Sequence, residues 1–115
     1  MSKEDRPKTQ LLQGTLDLIV LRTLAAMGPQ HGYGLAQRIQ QVSEDLLHLN
    51  QGTLYPALLR LEQQGWIRSE WGKSDNNRQA RFYSITRTGL KALREETDRW
   101  HHLSSFIDKL LEEPL

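Results

Sequence analysis

The sequence predicts a mainly α-helical fold with one β-hairpin. Apolar residues recur every three or four positions along four stretches of the chain, which is the period of an amphipathic helix. Two short runs rich in aromatic and β-branched residues lie between the third and fourth stretches, as in the strands of a hairpin. The 115 residues, 37% of them hydrophobic and 25% charged, suit one folding unit. We expect a domain over residues 11–85, an extension over 1–10 and a C-terminal helix within 86–115.

The first helix is predicted over residues 11–27, because a Gly-Pro pair follows at positions 28 and 29 and stops a helix. A short second helix begins near Tyr33, which two glycines flank, and ends near Ser43. The apolar stripes of these two helices consist of Leu12, Leu16, Ile19, Val20 and Leu24, and of Leu35, Ile39 and Val42. Each stripe predicts the side of its helix that packs into a core or an interface.

The third helix has an ambiguous beginning. Capping by Asn50 would put Pro56 at the sixth helical position, where its ring meets a carbonyl group one turn back. Capping by Thr53 would leave Pro56 in the first turn, where no backbone donor is missed. We therefore expect a tight or irregular first turn over residues 51–55, with N–H groups free to meet a phosphate. The apolar stripe of this helix, which Gly65 ends, is Leu54, Leu58 and Leu61.

The hairpin strands are predicted over residues 66–71 and 80–85, with a long polar loop over 72–79. Thr86 then caps a last helix over 87–112, which would be nearly 40 Å long at about 1.5 Å per residue. Its stripe repeats every seven residues at Leu93, Trp100 and Ile107, with Leu103 and Leu110 beside them. Because a helix of this length extends past a small domain, we expect the stripe to be buried in a homodimer.

The formal charge of +1 conceals an uneven distribution. Residues 66–94 contain seven basic and two acidic side chains, a net charge of +5, whereas residues from 95 onward have a net charge of −4. A basic hairpin is compatible with a nucleic-acid partner, although solvated surfaces would have the same composition.

The order helix, short helix, helix and hairpin is that of a winged helix-turn-helix, in which the third helix enters the major groove of DNA and the hairpin tip reaches the neighbouring backbone or minor groove. The sequence thus predicts contacts from the second helix, the exposed side of the third helix and the hairpin. The candidate DNA-binding residues are Tyr33, Gln51, Thr53, Tyr55, Arg60, Lys73, Asn77, Arg78 and Arg81.

Several of these residues have an alternative role that needs no DNA. Tyr33 could pack against the third helix, and Tyr55 could pack beneath the hairpin. Thr53 could act as a helix cap, a role compatible with a phosphate contact. Arg78 and Arg81 could be solvated charges on an exposed hairpin.

The sequence also resembles the PadR family of transcriptional regulators over nearly its whole length. The similar segments are LNQGTLYPAL at 49–58, RLE at 60–62, GWI at 65–67, HGYG at 31–34, NRQARFY at 77–83, and Thr86 with Gly89. The resemblance implies a prokaryotic dimeric repressor with a winged helix and one C-terminal dimerisation helix, of the family's short type. Members commonly respond to phenolic acids, drugs or other small effectors. Gln79 departs from the family pattern, which usually has a second basic residue there.

Two roles are open for Trp100 on the seven-residue stripe. The side chain could fill the dimer core as an interface anchor. Alternatively, two copies could enclose a flat aromatic effector, as paired tryptophans do in similar family members.

Other function classes have little support in the sequence. The chain has no cysteine, which excludes disulfides, thiolate metal sites and a cysteine nucleophile. His101 and His102 are adjacent and therefore point in different directions on a helix, so we expect no metal site. We find no catalytic or phosphate-loop motif, and expect neither an enzyme nor a cofactor. The aliphatic run at 18–21 is too short for a membrane helix, which suggests a cytoplasmic protein.

The sequence hypothesis is therefore a homodimeric repressor that binds a pseudo-palindromic operator in double-stranded DNA, with possible release by a small aromatic effector. The alternative is a winged-helix protein-interaction module that never binds DNA, since a fold does not fix a function.

Overall fold

A computed structural model describes residues 13–115 of the chain. Its elements are α1 (Gln13–Met27), β1 (Gln30–His31), α2 (Gly32–Val42), α3 (Gln51–Gln63), β2 (Ile67–Lys73), β3 (Gln79–Ile85) and α4 (Arg87–Glu112). The mainly α fold with a hairpin is confirmed, as are the bounds of α4. The predicted extension over 1–10, and residues 11 and 12 of the predicted first helix, lie outside the described residues.

The three strands form an antiparallel sheet in the order β1-β3-β2. We call the hairpin of β2 and β3 the wing. Its strands pair from Ile67 opposite Ile85 to Lys73 opposite Gln79, so the loop is shorter than the eight residues predicted. The sequence analysis missed β1, because two residues are too few to show an alternating pattern. β1 joins the beginning of α2 to the edge of β3.

The core lies where α1, α2 and α3 meet the inner face of the sheet. Most side chains of the predicted helical stripes contribute to it, and each fully buried leucine stabilises the fold by roughly 1.5–3 kcal/mol. Val42 was wrongly assigned to the stripe of α2, since it lies at the end of the helix and is 66% exposed, and Leu21, which the stripe of α1 omitted, is fully buried. The largest fully buried side chains are Val20, Leu21, Leu24, Leu35, Leu54, Leu58, Leu61 and Ile67. The core therefore fixes α3 from one side and leaves its other side exposed.

The first turn of α3 is tight rather than irregular, because the Thr53 N–H donates to the Asn50 carbonyl three residues back at 3.1 Å. Asn50 is the N-cap, and its side-chain oxygen accepts a hydrogen bond from the Thr53 N–H at 2.9 Å. The helix is regular from Gln51 onward and contains Pro56 in its interior. Proline removes the bond to the Gly52 carbonyl, but both residues are exposed, so water can satisfy that oxygen.

The predicted cap of α4 is confirmed. The Thr86 hydroxyl accepts a hydrogen bond from the Gly89 N–H at 3.0 Å and donates one to the Gly65 carbonyl at 2.7 Å. Gly89 packs directly on the chain that enters the wing, since a Cβ at this position would lie 2.0 Å from the Trp66 carbonyl oxygen. These contacts fasten the beginning of α4 to the corner between α3 and β2.

The apolar stripe of α4 divides into two parts, and Leu93 was assigned to the wrong one. Leu93 is 7% exposed and belongs to the core of its own chain, so it is unavailable to a second copy. Periodicity alone could not show that the domain extends this far along the helix. The exposed apolar side chains, which we call the distal face, are Trp100, Leu103, Phe106, Ile107, Leu110 and Leu111. Phe106 and Leu111 were missed by the sequence analysis.

None of the helices in the described part of the chain is long and apolar enough to cross a membrane.

Candidate nucleic-acid interface

A cleft of about 580 Å³ opens between the beginning of α2, the beginning of α3 and the wing. The predicted DNA-binding residues that line it are Tyr33, Gln51, Tyr55, Arg78 and Arg81. Lys73 and Asn77 lie at the end of the wing, and Thr53 lies in the first turn of α3. The fold thus places residues from three separate segments along one surface.

The beginning of α2 is fixed by the side chain of His31, which is the N-cap of the helix. Its Nδ1 atom accepts a hydrogen bond from the Gly34 N–H at 2.9 Å, and its ring packs edge-on against Phe82, with the ring centroids 5.4 Å apart. This cap anchors the first turn of the helix to β3. Tyr33, in the same turn, is 71% exposed, so the alternative of packing against α3 is not realised.

The exposed side of α3 carries Gln51 and Tyr55. Tyr55 is 56% exposed, which contradicts burial beneath the wing. Thr53 does not cap the helix, because Asn50 performs that role and receives the Thr53 N–H. The opposite side is buried through Leu54 and its neighbours. The polar groups near the helix N-terminus are therefore accessible to a ligand.

Arg60 was expected to face a DNA groove, and this prediction is wrong. Its Nη2 atom donates to Asp17 Oδ1 of α1 at 2.5 Å, and only 27% of its side chain is exposed. Asp17 is nearly buried, and a buried carboxylate requires a partner of opposite charge. Arg60 therefore joins α3 to α1. The signal that could have revealed this pair is an acidic residue within the apolar stripe of α1.

The tip of the wing is a tight turn in which Asn77 has a left-handed backbone, with φ of 60°. The Ser74 N–H donates to the Arg78 carbonyl at 2.8 Å, and the Asn77 N–H donates to the Ser74 carbonyl at 2.8 Å. Asparagine tolerates this conformation better than most residues, so Asn77 has a structural reason to be there. Lys73 and Arg78 are exposed beside the turn.

Arg81 forms contacts within the protein. Its Nε atom donates to Ser69 Oγ at 2.8 Å, and its guanidinium lies 5.5 Å from the centroid of the Trp71 ring. Ser69 in turn donates to Glu62 Oε2 of α3 at 2.6 Å. Glu62, Ser69 and Trp71 were missed as members of the site. The contact between Trp71 and Arg81 could have been predicted from the hairpin, because the two residues occupy facing positions on its strands.

Tyr83 closes the base of the cleft. Burial raises the pKa of its phenol above the ordinary value; the neighbouring Tyr55 and Glu62 add to this effect and Arg81 opposes it. Tyr83 is therefore a neutral hydroxyl beneath the charged side chains of the wing.

Comparison with known proteins identifies the family. The family model described as transcriptional regulator PadR-like family matches residues 20–95, a segment that includes α2, α3, the wing and the beginning of α4. This chain belongs to the PadR-like family. The resemblance seen in the sequence motifs is thereby confirmed.

Solved structures of transcriptional regulators have the same fold. A transcriptional regulator from Clostridium thermocellum is 29% identical, with a TM-score of 0.78 over 87% of this chain and 96% of that chain. A PadR-like transcriptional regulator from Bacillus cereus is 25% identical, with a TM-score of 0.78 over 92% and 100%. A PadR family transcriptional regulator from Eggerthella lenta is 35% identical, with a TM-score of 0.73 over 89% and 86%.

The family assignment makes this protein a transcriptional regulator with a winged-helix fold rather than an enzyme. Within residues 13–115, no three His, Asp or Glu side chains are grouped in a way that could hold a metal ion. His101 and His102 are exposed on α4.

Proposed function

We propose that this PadR-like regulator is a homodimeric repressor that binds a specific pseudo-palindromic operator. The observation that carries this proposal is the surface along which the exposed side of α3, the first turn of α2 and the tip of the wing lie together. In a winged helix this arrangement suits insertion of α3 into a major groove, with the wing beside it.

The chemistry of the side chains suggests a division of roles. Gln51, Thr53 and Tyr55 are at the beginning of α3, where short polar groups can contact base edges and sugars. Tyr33 and the N-termini of the two helices suit phosphate oxygens. Lys73, Asn77 and Arg78 at the tip of the wing suit the backbone or a minor groove.

The distal face of α4 supports the homodimer. Six large apolar side chains are exposed along one side of a helix that extends beyond its own core. Two copies related by a two-fold axis would bury the same side chains against each other. Two α3 helices would then read half-sites about 34 Å apart, or a multiple of this distance.

The first test is selection from a random duplex library, followed by affinity measurements at several salt concentrations. The proposal requires a selected palindromic site that the wild type binds in preference to unrelated DNA. Thr53→Ala and Tyr55→Ala should alter the selected sequence or lower the affinity for it. Weak binding without sequence preference would instead support the protein-interaction module.

The role of the wing tip is tested by Arg78→Ala. Loss of one phosphate contact should weaken binding to all duplexes and reduce the slope of log K against log [salt] by about 0.9. Arg22→Ala, which removes an exposed arginine of α1 away from the cleft, is the matched control and should leave the slope unchanged. An unchanged slope for Arg78→Ala would contradict a phosphate contact there.

Repression is tested in cells with a reporter behind the selected site. Deletion of the regulator should raise reporter expression if it is a repressor. A fall in expression would indicate an activator.

A small aromatic effector is supported by a cavity of about 380 Å³ between α1 and α4. Trp100 lines it together with Leu18 and Leu103, which provide an apolar wall, and with Arg99 and Glu96, which are paired with each other at 2.6 Å. Planar aromatic compounds should quench tryptophan fluorescence and weaken operator binding. Quenching that persists in Trp100→Phe would contradict binding at Trp100.

A further inference from the structure

Three side chains from three different elements meet on the side of the wing that faces α3. Ser69 of β2 donates a hydrogen bond to Glu62 of α3 at 2.6 Å and accepts one from Arg81 Nε of β3 at 2.8 Å. The Arg81 Nη2 atom lies 3.9 Å from Glu62 Oε2. The serine hydroxyl therefore connects a carboxylate to a guanidinium of opposite charge.

The surroundings restrict how these groups can move. The side chains of Arg81 and Glu62 are 42% and 32% exposed, so both are partly shielded from water. The Arg81 guanidinium also lies over the Trp71 ring, 5.5 Å from its centroid, within the range of a cation–π contact. Arg81, which lies on β3, is thus held by Ser69 and Trp71 of β2 and by the charge of Glu62 on α3.

The contacts span the corner at which the chain turns from α3 into the wing. Gly65 has a left-handed backbone at this corner, with φ of 78°, and only three residues separate the end of α3 from the first residue of β2. The covalent connection alone allows the hairpin to tilt about the corner. Bonds between Glu62, Ser69 and Arg81 oppose such a tilt because they join α3 to both strands beyond it.

We propose that Glu62, Ser69 and Arg81 form a brace that sets the angle between the wing and α3, and that Arg81 is a positioning residue rather than a phosphate ligand. The proposal rests on the proposed DNA-binding function and deepens it. A correct wing angle lets Arg78 reach the backbone while α3 lies in the groove. Affinity for DNA then depends on Glu62, a residue whose charge repels DNA.

Two effects separate this brace from a direct phosphate contact. A positioning arginine lowers affinity on removal without changing the number of phosphates neutralised, so the salt slope stays the same. Removal of the Glu62 charge should raise affinity if the carboxylate only repels DNA, and should lower affinity if it holds the wing. The two hypotheses thus predict opposite signs for Glu62→Ala.

The experiment measures operator affinity across a salt series for Arg81→Ala, Glu62→Ala and the double variant, with Arg78→Ala as the reference for a phosphate contact. We expect each single variant to lose roughly threefold to tenfold in affinity with the wild-type salt slope. The double variant should bind about as well as either single variant, because both remove the same interaction. Circular dichroism and thermal unfolding establish that each variant is folded.

A second measurement needs no DNA. Amide hydrogen exchange in the wing, over residues 67–85, should accelerate in both single variants, whereas exchange in α1 should not change. Glu62→Gln, which keeps an acceptor for Ser69 but removes the charge, should give an intermediate effect.

Three results would overturn the brace: a salt slope that falls by about 0.9 in Arg81→Ala, a gain of affinity in Glu62→Ala, or unchanged wing exchange in both variants. Failure of the proposed function is distinguishable, since it would appear as a wild-type protein that selects no DNA sequence. In that case amide hydrogen exchange in the wing still tests whether the brace exists.

Discussion

The two halves of α4 share one apolar face and have opposite surroundings. At about 100° per residue, Gly89, Ala92 and Leu93 lie on the same side of the helix as Trp100 and Ile107. The first three are buried against the rest of their own chain, while the last two are exposed. One continuous stripe therefore serves the core of the chain at one end and, in the function proposed above, a second copy at the other.

A periodic apolar stripe therefore predicts that its side chains are buried, but not which surface buries them. Leu93 and Trp100 are seven residues apart and look equivalent in the sequence. They differ because the winged domain covers the first turns of α4 closely, whereas beside α1 it leaves a cavity at Trp100, which is 45% exposed. Substitutions in the two halves should therefore have separate consequences, for folding in one case and for assembly in the other.

Substitution of Gly89 by alanine should have the largest effect. The added methyl group would lie 2.0 Å from the Trp66 carbonyl oxygen and 2.8 Å from Ile85 Cγ1, so backbone must move. We expect the free energy of unfolding to fall by about 3 kcal/mol, the upper end of overpacking costs. Urea denaturation measures this value. A variant as stable as the wild type would show that α4 does not pack as described.

Substitution of Ile107 by aspartate should leave the chain folded and separate the dimer. A charge in the middle of the distal face would be buried without a partner in the assembled state, so the dimer dissociation constant should rise by at least about 100-fold. Analytical ultracentrifugation measures the change.

The matched control for this variant is Ser105→Asp, which adds the same charge on the opposite side of α4, about 200° from Ile107. It should dimerise like the wild type. Equal effects of the two substitutions would show that the distal face is not the dimer interface.

The smallest expected effect is a change of stability with pH that comes from Tyr83 on β3. Because its pKa is raised in the folded state, the folded chain keeps the phenol proton more tightly than the unfolded chain does. Stability should therefore be unaffected by this group at neutral pH and should decrease as pH rises above about 10.

Tyr83→Phe removes the titrating group and should lose less stability between pH 9 and pH 10.5 than the wild type does. Urea unfolding at both pH values provides the comparison. An identical pH dependence in the two proteins would mean that Tyr83 is not the group responsible.

Much of the fold was predictable because local rules determine it. Thr86 and Gly89 open α4 with a side-chain cap, and the aromatic and β-branched runs form the wing. These features depend on residues close together in the sequence. The cap of α3 was not predicted, since the choice between Asn50 and Thr53 depends on whether water reaches the carbonyl that Pro56 leaves unpaired.

The candidate site was predicted less completely. The sequence placed Tyr33, Tyr55 and Arg78 on one surface, because a known order of elements fixes their relation. The sequence analysis did not predict that Arg60 and Arg81 are held within the protein. Their partners are Asp17, 43 residues away, and Ser69, 12 residues away, and only the folded chain brings them into contact.

The ion pair between Arg60 and Asp17 has a mechanical consequence. It bonds α3 to α1, and a packed interface with such a bond moves as a unit rather than sliding freely. Thr15 and Leu18, on either side of Asp17 in the chain, line the cavity beside Trp100. A displacement of α1 at that cavity would therefore move α3 with it.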